Sequence, residues 1–133
     1  MVPSNLKEKM KKILLLDDDK YLLSSLSTLL SSWGYNPLCF TNVEDAESYI
    51  RGGEENKVDF AIVDLFLLGA RGDALSNGFI RNEILPKGIP YLRLTSAPDL
   101  VPKDLIGFAI LDKREIELDF TPLKFILEEV LSV

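Results

Sequence analysis

Short apolar runs alternate along this chain with segments of helical period. Residues 11–16, KKILLL, predict a buried strand, because a continuous apolar run bounded by turn residues suits a sheet covered on both faces. In KYLLSSLSTLLSSWG, residues 20–34, Leu22, Leu23, Leu26, Leu29, Leu30 and Trp33 recur at helical spacing, with Gly34 as the stop. A second strand is expected over residues 36–40, then a helix in NVEDAESYI with Asn42 as its N-cap and Asp45 as the reciprocal partner. VDFAIVD and IPYLRLTS predict strands ending at Asp64 and Thr95, and GFAILDK a short fifth strand ending near Lys113. TPLKFILEEVLSV predicts a closing helix, with Thr121 as N-cap and Pro122 in the first turn, where its missing N–H costs nothing.

Two connections are irregular. LFLLGARGDALSNGFIRNEILPKG, residues 65–88, should hold a helix but carries internal glycines; a start near Asn77, after an inserted loop, is preferred to one near Asp73. In SAPDLVPKDLIG, residues 96–107, Pro98 and Pro102 leave room only for a short helix. Strands alternating with helices imply right-handed crossovers, hence an α/β fold. The expected fold is a doubly wound, five-stranded parallel sheet of flavodoxin-like order 2-1-3-4-5 with helices on both faces. Ligands of such sheets bind outside the carboxyl ends of the strands, at the switch point of strand order.

Composition narrows the chemistry. With 133 residues, 47% hydrophobic and 27% charged, the chain fits one folded domain, taken as residues 11–133 behind a lead-in at residues 1–10. A net charge of −6 argues against nucleic acid or an anionic membrane as a direct partner. One cysteine, Cys39, excludes an internal disulfide, and the lack of histidine excludes a Ser-His triad, a phosphohistidine and the commonest zinc sites. A reducing, cytoplasmic setting is expected. Trp33 and Cys39 are assigned to the core.

Asp17, Asp18 and Asp19 follow the first strand directly. Adjacent carboxylates raise one another's pKa unless a cation neutralises them, and helix capping accounts for only one of the three. If the first and third strands are neighbours, Asp17 and Asp18 converge with Asp64, a set suited to Mg²⁺ and its oxygen ligands. Asp19 is then the helix cap.

Asp17-Asp18, Asp64 after VDFAIV, Thr95 in LTS and Lys113 after AILD, each at a strand end and in this order, resemble the receiver domains of two-component response regulators from about residue 11 to the end. The resemblance implies that Asp64 is phosphorylated by a sensor histidine kinase, a phosphotransfer protein or a small phosphodonor. It implies Mg²⁺ held by Asp18, Asp64 and the backbone carbonyl of Phe66, with Asp17 helping through water and with Lys113 and Thr95 contacting phosphoryl oxygens. Asp64, Thr95 and Lys113 would carry the chemistry, Thr95 and Ile110 the switch to an unknown downstream protein. Such a protein catalyses only its own phosphorylation and dephosphorylation. The expectation is either a single-domain regulator or a receiver from a longer chain.

Several positions depart from the family. Leu68 stands where a proline often follows the acceptor loop. Arg93 lies within an apolar strand and is expected to snorkel or pair. Arg114 follows the lysine where a proline is usual, and Ile110 replaces the aromatic switch residue, which leaves aromatic rotation unsupported. Phe66 and Ala97 occupy the positions that flank the approach of hydrolytic water and offer it no polar group. Two alternatives stay open: a receiver fold that has lost phosphorylation and binds constitutively, and a haloacid-dehalogenase-type phosphatase with Asp17 as nucleophile and Asp19 as acid.

Overall fold

In a computed structural model, which describes residues 10–65, 67 and 72–131, the apolar runs become the strands of one sheet. In chain order the elements are β1 (Lys12–Leu16), α1 (Lys20–Ser32), β2 (Asn36–Phe40), α2 (Val43–Ile50), β3 (Phe60–Asp64), α3 (Gly72–Phe79), β4 (Tyr91–Thr95), β5 (Ile110–Asp112), α4 (Lys113–Ile116) and α5 (Thr121–Leu131). All four strand pairings are parallel and the order is β2-β1-β3-β4-β5. The predicted topology is therefore the observed one.

The period-2 alternation of side chains divides the strands between two cores. Leu14, Leu16, Ala61, Val63 and Tyr91 face one side and pack with Val43, Ala46 and Ile50 of α2 and Phe79 of α3. Ile13, Leu15, Phe60, Ile62, Leu92 and Leu94 face the other and pack with Leu22, Leu23, Leu26 and Leu30 of α1 and Leu123 and Leu127 of α5. Every residue of β3 and β4 is buried, as central strands covered on both faces must be. Trp33 packs partly buried against the second core, whereas Cys39 is exposed on β2, at the sheet edge, so its assignment to the core is corrected.

Caps explain where helices begin. Asp19 accepts hydrogen bonds from the amides of Tyr21 and Leu22, as expected for the start of α1. Asn42 accepts from the Asp45 amide at 2.8 Å and its own amide group donates to the Asp45 carboxylate at 3.0 Å, the reciprocal pair read from the sequence. At α5 the expectation is corrected: Thr121 is already helical, and its amide donates to Asp119, the actual capping side chain.

The start of α3 is also earlier than preferred, at Gly72 rather than near Asn77. Helical glycines cost about 1 kcal/mol each, but buried Ser76 and Asn77 are anchored by Arg93, which holds this turn in place. The helix continues as one π-helical segment, Ile80–Ile84, whose buried Glu83 accepts a 2.7 Å hydrogen bond from Arg51 at the end of α2. Between β4 and β5 the two prolines permit only the 3-10 turns Pro98–Leu100 and Lys103–Leu105. Leu68 and the supposed insertion's first residues, like the lead-in to residue 9, lie outside the described residues.

Two glycines give opposite expectations. Gly107 has φ +72°, and a Cβ there would collide with the Tyr91 carbonyl and ring. Gly107→Ala should lower stability in chemical denaturation by about 2–4 kcal/mol. Gly78 is helical with open space around it, so Gly78→Ala should raise stability by about 0.5–1 kcal/mol.

Candidate phosphoacceptor and metal site

The strand ends that the topology gathers carry the predicted residues. Asp17 follows β1, Asp64 ends β3, Thr95 ends β4, and Lys113 follows β5 as the first residue of α4. Carboxylate oxygens of Asp17, Asp18 and Asp64 lie within 4.8 Å of one another. The Lys113 ammonium reaches into this cluster, donating to Asp64 Oδ2 at 3.1 Å and standing 2.9 Å from Asp17 Oδ2.

Local bonds set these orientations. Asp17 Oδ1 accepts from the Asp19 amide at 2.9 Å, which turns Oδ2 toward the cluster. Asp19 points away to cap α1, which leaves Asp17, Asp18 and Asp64 as the converging set. Asp112 accepts from the amide and guanidinium of Arg114, shaping the turn that presents Lys113. Thr95 is fully buried, and its Oγ1 accepts from the Ala97 amide at 3.0 Å while its own proton remains to be donated. Ile110, the other predicted switch residue, is half-buried and pairs in register with Arg93.

Burial and mutual repulsion govern the electrostatics. Burial pushes the Asp64 carboxyl up to about 7; Asp17 adds to the rise and Lys113 opposes it. Burial likewise raises Asp17, again against Lys113. Burial alone would lower the Lys113 ammonium, but contact first with Asp17 and then with Asp64 leaves it raised. Three carboxylates against one ammonium leave about two negative charges uncompensated, the deficit a divalent cation fills. Buried Asp17 Oδ2 is ion-paired to the Lys113 ammonium at 2.9 Å without an aligned hydrogen bond. The donor set fits Mg²⁺. Phe66, whose carbonyl the resemblance implies as a metal ligand and whose side chain it implies beside the water approach, lies outside the described residues.

Sequence reading singled out Arg93 but missed its partners. It pairs within the core, with no carboxylate partner among the described residues: it is fully buried beside the site, and its five N–H groups donate to the carbonyls of Val63, Asp64 and Leu105, to Asn77 Oδ1 and to Ser76 Oγ. Burial lowers its pKa to about 10, which leaves it cationic at neutral pH. The available signal was a charged residue in an apolar strand together with Ser-Asn on a nearby helix.

Comparison with solved structures bears on the fold. No protein-family model matches the sequence, and no curated protein matches it. Solved structures do match. A CheY-like response regulator receiver domain from Methylobacillus flagellatus superposes with TM-score 0.72 at 18% identity, over 92% of this chain and 99% of its own. TrrA, a response regulator from Thermotoga maritima in complex with Mg²⁺ and BeF, gives 0.71 at 22% identity, over 92% and 100%; TrrA also matches in complex with the histidine kinase ThkA. The non-phosphorylated HemR receiver domain from Leptospira biflexa gives 0.65 at 26% identity, over 92% and 95%. The chain has the fold of response regulator receiver domains. No described helix is long and apolar enough to cross a membrane.

The raised Asp64 pKa fixes a sign. An unfolded Asp64 titrates near 3.8 and the folded one near 7, so its contribution to stability is present below about pH 4 and is lost as pH rises through about 7. In metal-free protein at pH 8, Asp64→Asn should therefore raise the melting temperature by about 3–6 °C, with little effect at pH 4. Millimolar Mg²⁺ should stabilise the wild type at pH 8 and do so less in Asp18→Asn, as read by thermal melts with and without the ion.

Proposed function

We propose that this protein is a phosphorylation-controlled signalling switch. Asp64 accepts a phosphoryl group from the phosphohistidine of a histidine kinase or phosphotransfer protein, or from a small phosphodonor. The observation that carries this reading is the convergence of Asp17, Asp18 and Asp64 on the Lys113 ammonium at the carboxyl ends of a receiver-fold sheet.

Phosphoryl transfer is mainly positioning and charge neutralisation. An Asp64 carboxylate oxygen attacks phosphorus in line, the new O–P bond forms, and the donor's P–N or P–O bond breaks with its electron pair leaving on the donor. Mg²⁺ bound by Asp17, Asp18 and Asp64 would supply the counter-charge that lets an anionic phosphoryl group approach these carboxylates. Lys113, already within 3.1 Å of Asp64, can transfer its hydrogen bond to a phosphoryl oxygen as the carboxylate charge is consumed. The Thr95 hydroxyl donates to another. That bond exists only in the phosphorylated state, so it biases the end of β4 and, through the β4–β5 pairing, Ile110. A downstream protein that binds the biased form reads the signal. The complexes of TrrA with a histidine kinase and with Mg²⁺ and BeF support the kinase partner and the metal.

The phosphatase alternative needs Asp19 as an acid facing Asp17, whereas the Asp19 carboxylate is held by two amides at the start of α1.

Incubation with Mg²⁺ and acetyl phosphate should add one phosphoryl group by intact mass, and Asp64→Asn should abolish it. Lys113→Ala should slow it about 100-fold or more, since an aligned cation at the reacting group is worth several kcal/mol. Wild type that takes up neither phosphoryl group nor beryllofluoride would refute the acceptor role and leave a constitutive binding module; labelling retained in Asp64→Asn would place the acceptor elsewhere.

A further inference from the structure

A guanidinium presents five donors in a rigid planar fork, so a buried arginine that uses all five fixes its acceptors relative to one another. Arg93 does this with three parts of the chain. Nε donates to the Val63 carbonyl at 3.3 Å, and one terminal nitrogen to the Asp64 carbonyl at 3.4 Å and Ser76 Oγ at 3.1 Å. The other donates to Asn77 Oδ1 at 3.0 Å and to the Leu105 carbonyl at 3.2 Å. Ser76 in turn donates its hydroxyl proton to the Leu65 carbonyl. The carbonyls of residues 63, 64 and 65, which bracket the candidate acceptor, are thus tied to Arg93 directly or through one serine.

An apolar residue at this point of β4 would join the surrounding core without desolvating a cation. The cation instead spends its bonds on the backbone that carries Asp64. We propose that Arg93 is a positioning residue of the phosphoacceptor: with Ser76 it holds the peptide units around Asp64, anchored against α3 and the turn at Leu105, in the orientation that in-line attack requires. This rests on the reading of Asp64 as acceptor. Small displacements of a reacting group cost large factors in rate, whereas Arg93 has no direct bond to a carboxylate of the site, so ligand binding should be less affected than the transfer step.

The test compares wild type, Arg93→Lys and Ser76→Ala. Arg93→Lys keeps the charge and loses the fork; Ser76→Ala is nearly isosteric, suits a helix, and removes the relay from Arg93 to Leu65 together with the contact to the Asp73 carbonyl. For each, the rate constant and final extent of acetyl phosphate labelling are measured at several donor and Mg²⁺ concentrations, alongside the melting temperature and the amide spectrum of the metal-free protein. Expected is a saturated rate constant about tenfold lower in Arg93→Lys and several-fold lower in Ser76→Ala. Half-saturating donor and Mg²⁺ concentrations should stay within about twofold and labelling should go to completion. In both variants the amide signals of residues 64 and 65 should shift. A purely structural role predicts lower melting temperatures and incomplete labelling at an unchanged rate constant, and that result would overturn the proposal. Absence of labelling in the wild type itself would instead overturn the acceptor reading on which it rests.

Discussion

Everything at the top of this sheet answers to one electrostatic constraint: buried carboxylates stand close together and a single ammonium faces them. Asp17 and Asp64 are each 3% exposed, so water cannot screen their repulsion, and Lys113 compensates only in part. Burial first, and repulsion from Asp17 second, push the Asp64 carboxyl up to about 7 against the opposing Lys113. A site in this condition costs stability when fully ionised and regains it from a divalent cation. The same uncompensated charge that makes it a poor structural element suits it to a divalent cation.

The fold supplies this constraint at little cost elsewhere. Parallel strands covered on both faces end together, and the first residue past each apolar run is free to be polar because it has left the core. Strand order places β3 between β1 and β4, which brings the carboxylates from two strands together with β4's hydroxyl. Lys113 then enters from the edge strand, on a short helix capped by Asp112. Beneath them Arg93 binds the backbone of Asp64 to α3 and to the connection between β4 and β5.

Strand ends and the acidic set were legible in the sequence because each rests on local patterning: apolar runs of strand length, and polar residues at the point where burial ends; the strand order came from the flavodoxin-like fold expected of such alternation. What escaped depends on partners that sequence does not display. Arg93 bonds largely to main-chain carbonyls, which carry no residue signature. The early start of α3 follows from that same tertiary anchoring of Ser76 and Asn77, against the local preference of its glycines. Capping of α5 by Asp119 rather than Thr121 is a shift of two residues between side-chain types that can both cap, with the Thr121 hydroxyl itself donating to Asp119. Cys39 is exposed because β2 is an edge strand, and nothing in its short apolar run distinguishes an edge from a centre.

Proton release on metal binding tests the charge balance most directly. If Asp64 holds a proton near neutrality until a divalent ion displaces it, Mg²⁺ titrated calorimetrically at pH 7 in buffers of different ionisation enthalpy should release about half a proton per site, falling toward zero by about pH 9. Asp64→Asn should abolish the release. Binding with no proton release at pH 7, or no binding of Mg²⁺ at all, would contradict the account of a carboxylate cluster held short of one divalent charge.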